Sequence, residues 1–168
     1  MPYCQLYYHF VWRTKASMPW IVPAIEQQVH RHLWKKALGL RTQVYAINGM
    51  EDHVHVVASL PPALAVADFV GQVKGYSSNR INKEQLLDTR FGWQSEYGAF
   101  SFDRKRLPYL IAYVENQKRH HAEGTTIQIL ERTDQSIDSE VREPASCYDF
   151  DDTEWRRELE QLADDDDL

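Results

Sequence analysis

Two imidazoles one residue apart, His53-Val54-His55, sit in the run His53-Val-His-Val-Val-Ala-Ser-Leu60, whose branched residues predict a β-strand. Strand side chains alternate between faces, so both rings project the same way, with Val54 and Val56 opposite. Neutral imidazole nitrogens are good donors to divalent metals, and a rigid strand orders both without a loop having to close. Alone the triplet is a weak signal, because His30-Arg31-His32 has the same spacing. There a helix is predicted, on which positions two apart diverge around the axis, so that pair reads as surface or packing.

A second pair raises the value of the first. Tyr113 and Gln117 lie in residues 104–121, a segment predicted as a helix starting near Pro108. Positions four apart share a helix face, so a phenol and an amide oxygen present together. Phenolate is a competent nucleophile toward phosphorus, but with a reference pKa of about 10 it needs a metal or base nearby. A glutamine carbonyl oxygen can complete the coordination of a hard ion. Tyr109, one turn earlier on the same face, is a rival nucleophile that periodicity does not separate from Tyr113.

The elements that must position these groups follow from periodicity and breakers. Residues 4–12, rich in aromatic and branched side chains, predict a first strand. A helix follows Pro23, with Ile25, Val29, Leu33 and Leu38 in its apolar stripe and Gly39 as its stop. Residues 43–48 and 53–60 form a hairpin across 49–52, and residues 65–84 form a second helix, marked by Phe69, Val73, Tyr76 and Ile81, with Lys74 and Arg80 on its polar face. A fourth strand at 97–102 is entered through a loop that carries Trp93. The order is that of an α+β, ferredoxin-like or RRM-like βαββαβ sandwich with an antiparallel sheet, plus an extra tyrosine-bearing helix.

Charge divides the chain. The formal net charge of the 168 residues is −6, but residues 1–122 hold 15 Lys+Arg against 9 Asp+Glu, whereas 123–168 hold 4 against 16. The first segment therefore reads as one folded domain and the second as an acidic extension, which is a solubilising tail, a mask over a basic groove or a contact for a partner, with an amphipathic helix predicted around 155–162. Lys74, Arg80, Arg104, Lys105, Arg106, Lys118 and Arg119 are candidate phosphate contacts, which predicts salt-sensitive DNA binding. Trp93 and Tyr76 are candidates for stacking on unpaired bases. Cys4 and Cys147 lie far apart without Cys-x-x-Cys spacing, which argues against a disulfide framework or a cysteine zinc site and fits a reducing cytosol. No apolar run reaches membrane-spanning length, and the apolar start reads as a strand rather than a signal.

Asp52-His-Val-His-Val56, followed by Tyr113-Val-Glu-Asn-Gln117 and His120-His121, resembles the single-tyrosine HUH transposases of small insertion sequences, among them the REP-associated tyrosine transposases. Tyr8-His-Phe-Val-Trp12, Val73-Lys-Gly-Tyr-Ser-Ser78, Gly92-Trp-Gln94 and Tyr97-Gly-Ala-Phe-Ser101 extend the resemblance over about residues 3–121. It implies that His53, His55 and Gln117 hold a Mg²⁺ or Mn²⁺ ion and that Tyr113 attacks single-stranded DNA, giving a 5′-phosphotyrosine and a free 3′ hydroxyl. It further implies recognition of DNA hairpins, a homodimer whose sites are completed between subunits, and a cytoplasmic, nucleoid-associated location. The long acidic extension is a departure from the compact family core. Rival readings are a domesticated hairpin-binding protein without strand transfer, an RNA-binding domain of the same element order, and a zinc hydrolase using His53, His55 and His120 or His121.

Overall fold

The computed structural model describes residues 3–133; the helix expected around 155–162 and the acidic terminus lie outside them. Four strands, β1 (Tyr7–Arg13), β2 (Gln43–Met50), β3 (His53–Ser59) and β4 (Gly98–Phe102), form one sheet in the order β2-β3-β1-β4. Every neighbouring pair is antiparallel. Helices α1 (Pro23–Gly39) and α2 (Val66–Lys83) connect β1 to β2 and β3 to β4, which is the split arrangement that the element order predicts. Among the described residues no helix is long and apolar enough to cross a membrane.

The sheet is covered on both faces at its centre, so all residues of β3 from His53 to Ala58 are buried, while the edge strands β2 and β4 are partly exposed. Phe10, Trp12, Val54, Val56 and Ala58 face α1 and α2, packing on Ile25, Val29 and Leu33 of one helix and Phe69, Val70 and Val73 of the other. Pro23 opens α1 at its first turn, where its missing N–H removes a donor that would have no helical partner. Leu38, counted in the apolar stripe, is 56 % exposed, and Ala37 takes the core position. His32 bonds Glu84 at 2.8 Å and ties α1 to the end of α2, a packing role for the histidine read as structural.

The opposite face carries the chemistry. Alternation along β1 and β3 turns His9, His53, His55 and Val57 away from α1 and α2. Over Val57 lie α3 (Leu107–Glu115) and the turn beyond α4 (Gln117–Glu123), through Leu110, Tyr113, Val114, Ile127 and Leu130. The β2–β3 hairpin turns on Glu51 and Asp52, so β2 reaches Met50, two residues past its expected end. Gly49 permits this closeness: a Cβ there would stand 2.1 Å from the carbonyl oxygen of His53.

Three expectations are corrected. The tyrosine helix is not continuous, because Asn116 (φ −97°, ψ 17°) ends α3 and α4 begins at Gln117. The Asn116 side chain donates to the Ala112 carbonyl at 2.8 Å, alongside the Asn116 N–H at 3.1 Å. Lys74 is not on a polar face: it is 9 % exposed, and its ammonium donates to the carbonyls of Gln94, Ser95 and Glu96 at 2.9, 3.1 and 2.9 Å. Burial draws the pKa of Lys74 down to about 8 against the pull of Glu96. Nor does the folded body end at 122, since residues 124–133 return to the sheet, with Leu130 in the apolar cluster and Thr133 buried.

Candidate active site

The turn residue Asp52 sits between two strand ends and serves both. It accepts from Arg13 at 2.8 Å through one oxygen and contacts His53 Nδ1 at 2.6 Å through the other. His53 is thereby anchored at Nδ1, leaving Nε2 toward the interior, where it is buried with no hydrogen-bond partner. Burial opposes a charge on His53, but the carboxylates of Asp52 and Glu131 outweigh it and raise the pKa above the ordinary histidine value.

His55 is held from the neighbouring strand. Its Nδ1 lies 2.9 Å from Nε2 of His9, and the two rings stack with centroids 5.0 Å apart. Burial, the largest cause, depresses the pKa of both below the ordinary histidine value. Two partners of different kind, a carboxylate and an imidazole, thus fix the two rings of the His-x-His pair by their Nδ1 atoms. This is the outer-shell arrangement that frees Nε2 for a metal.

Helix α3 brings Tyr113 to the pair. The ring of Tyr113 stands 6.2 Å from that of His55 and 6.5 Å from that of His9, both edge-on, and stacks on His120 at 4.8 Å. Tyr113 is 3 % exposed, whereas Tyr109, on the same helix, is 45 % exposed, so the structure separates two tyrosines that the sequence did not. Gln117 is fully buried, and neither its amide oxygen nor its amide nitrogen has a hydrogen-bond partner.

Glu131 joins His53, His55 and Tyr113. Its Oε2 lies 3.1 Å from His55 Nε2, 3.4 Å from His53 Nε2 and 3.7 Å from His121 Nε2. Its Oε1 accepts from the Tyr113 hydroxyl at 2.6 Å, and that hydroxyl accepts from the Ile127 N–H at 3.0 Å. Burial would raise the pKa of Glu131, but the imidazoles of His53 and His55 overrule it and hold the carboxyl well below the usual range. Burial, then the bond to Glu131, pushes the Tyr113 phenol above its ordinary value, so in this arrangement the proton stays on the phenol.

The donor set suits a divalent ion. Ligand atoms of His53, His55 and Glu131 all lie within 4.8 Å of one another, and the Gln117 amide, at the start of α4, is buried without a hydrogen-bond partner. Unpaired buried polar atoms are costly and call for a partner, and a cation would supply one.

The remaining candidates fall elsewhere. Arg80 pairs with Glu84 at 2.6 Å, and Lys118 pairs with Glu26 at 2.5 Å and Asn48 at 3.0 Å. Arg104, Lys105 and Arg119 are exposed and Arg106 is half-buried. Trp93 donates to Ser77 at 2.9 Å and meets Phe91 edge-on, while Tyr76 meets His32 edge-on, so both aromatics have packing partners. His9, Asp52 and Glu131 were not named as site residues from the sequence. The first two stand inside motifs next to assigned positions; Glu131 carries no local signal and looked like one of many solubilising acids.

Comparison with known proteins agrees with this geometry. The family model described as "Transposase IS200 like" matches residues 2–117. A curated relative, the ISDra2 transposase TnpA of Deinococcus radiodurans, is 28 % identical over 118 residues, which is 67 % of this chain and 84 % of the relative. A crystal structure of a transposase from the same species aligns with a TM-score of 0.56 at 24 % identity, over 70 % of this chain and 95 % of the other. A REP-associated tyrosine transposase bound to a REP hairpin aligns at 0.54 and 12 % identity, over 75 % and 76 %. With 2–117 matched and the histidine pair and tyrosine in one buried centre, the chain belongs to the IS200-like transposases, the single-tyrosine HUH family.

Proposed function

We propose that this transposase cuts and rejoins single-stranded DNA by transesterification, with Tyr113 as the attacking group and His53, His55 and Gln117 as metal ligands. The observation that supports this most is the shared carboxylate: the Tyr113 hydroxyl and both strand imidazoles converge on Glu131, so phenol and metal donors occupy one spot.

When bound, a Mg²⁺ or Mn²⁺ ion would supply Lewis-acid polarisation of the scissile phosphate. The residues do the rest. Asp52 and His9 fix the ring orientations of His53 and His55. The Tyr113 oxygen gives up its proton and forms a bond to phosphorus as the bond to the 3′ oxygen breaks, and the departing 3′ oxygen takes up a proton, so none is gained or lost overall. The product is a 5′-phosphotyrosine and a free 3′ hydroxyl. Attack of a 3′ hydroxyl on that ester reverses the exchange and rejoins DNA in a new arrangement. One phosphodiester is exchanged for another at each step, so no energy cofactor is needed.

A hairpin-bearing single strand is the proposed substrate, since a structural relative is bound to a REP hairpin. Arg104, Lys105, Arg106 and Arg119 are the proposed phosphate contacts. Arg80 and Lys118 are proposed contacts as well, exchanging Glu84 and Glu26 for phosphate. Lys74, committed to three carbonyls, drops out. A homodimer in the cytoplasm completes the proposal; in the single chain Tyr113 already meets its own histidines.

The test is incubation with labelled single-stranded hairpin DNA, with Mg²⁺ or Mn²⁺ and with chelator, followed by denaturing electrophoresis. The expected result is a metal-dependent covalent adduct. An adduct unaffected by chelator, or by His53→Ala with His55→Ala, would contradict the metal assignment.

A further inference from the structure

Glu131 lies beyond residues 2–117, the part of the chain that the family model matches, so nothing in the family assignment gives it a role. We propose that it is a further metal ligand of this protein, one that also positions the nucleophile: Oε2 closes the coordination sphere opened by His53 and His55, while Oε1 holds the Tyr113 hydroxyl beside it. This rests on the metal site proposed above and adds a ligand to it.

Charge is the first argument. Two neutral imidazoles and a neutral amide bring no negative charge to a divalent cation. Hard ions such as Mg²⁺ and Mn²⁺ are normally held through at least one carboxylate, and two histidines with one carboxylate is a recurrent metal-binding set. Within the described residues, the grouping of His, Cys, Asp and Glu atoms close enough to share an ion is His53, His55 and Glu131.

Distance is the second. With ligand bonds of about 2.1 Å, neighbouring ligands of an octahedral ion stand about 3 Å apart. Oε2 stands 3.1 Å from His55 Nε2 and 3.4 Å from His53 Nε2. At 3.4 Å the His53 Nε2 and Oε2 atoms form an ion pair without the geometry of a hydrogen bond, a spacing that two ligands of one ion also adopt.

The third argument is that the seat of Glu131 is built rather than incidental. Ile127 and Leu130 pack in the cluster around Leu110, Tyr113 and Val114. The Ile127 N–H donates to the Tyr113 hydroxyl. Just past Glu131 the backbone comes so close to β4 that a Cβ on Gly98 would stand 2.1 Å from the Arg132 carbonyl oxygen. A mere surface acid would not need a glycine opposite its neighbour.

The test uses the full chain and Mn²⁺ alone, read by calorimetry and by the electron paramagnetic resonance signal of free ion, so no activity enters. Glu131→Ala should weaken Mn²⁺ binding at least tenfold, and Glu131→Gln, which keeps an oxygen but loses the charge, should fall between it and the parent. His53→Ala should weaken binding whether or not Glu131 is a ligand, and thermal unfolding of each variant confirms that it is folded. Unchanged or tighter binding by folded Glu131→Ala, with loss in His53→Ala, would overturn the inference while leaving the proposed metal site standing; Glu131 would then fill the site only when the ion is absent. Retained binding in His53→Ala would sink the metal site itself and, with it, the ligand role of Glu131. Should Glu131→Ala fail to fold, Gly98→Ala provides the second route: crowding Arg132 should displace Glu131 and lower Mn²⁺ affinity, and unchanged affinity there would count against the inference.

Discussion

His53 and His55 present their Nε2 atoms to one point because their Nδ1 atoms are engaged elsewhere, by Asp52 and His9. Asp52→Asn, which weakens the hold on the ring without emptying the space, is therefore expected to reduce Mn²⁺ affinity about tenfold, in the range typical of outer-shell partners. Calorimetry checks this, and unchanged affinity would mean that His53 is oriented by packing alone. At this scale the sequence was informative about the pair and about Tyr113, since alternation and helical spacing are local rules. It was silent on Glu131, which reaches the pair across 76 positions of chain from His55. No local period reports a contact of that separation.

Lys74 shows what element-level reading misses. The helical period was right, since α2 runs over Val66–Lys83 with Phe69, Val70, Val73 and Ile81 buried, but a lysine on the flank of that stripe was assigned to solvent. Instead three backbone carbonyls of the loop before β4 meet its three ammonium donors, and the ring of Tyr97 lies 5.4 Å away. Lys74→Met should lower unfolding free energy by about 1–2 kcal/mol, because the hydrogen bonds of a charged donor that ties α2 to the loop are lost. Urea denaturation would show it, and a change confined to DNA affinity would restore the phosphate-contact reading. The interrupted tyrosine helix has the same origin. Spacing alone predicted one helix through Gln117, and the backbone of Asn116, at φ −97° and ψ 17°, interrupts it there.

For the molecule as a whole, the element order was sufficient to predict the antiparallel sandwich, because short right-handed connections leave few arrangements for six elements. The charge division was also legible, but its boundary was not: residues 124–133 are polar on average yet return Ile127, Leu130 and Glu131 to the centre. Residues 134–168 carry a formal charge of −11, so a chain ending at Thr133 changes from −6 to +5. It should bind single-stranded hairpin DNA more tightly than the full chain at low salt, with the difference shrinking as salt rises. Equal affinities across a salt series would make the extension neutral toward DNA. The most direct test of the account is to digest the covalent protein–DNA adduct and identify the linked residue by mass spectrometry. Nucleotide attached at Tyr113, and no adduct from Tyr113→Phe although DNA is still bound, is the predicted result; nucleotide attached at Tyr109, or an adduct persisting in Tyr113→Phe, would contradict it.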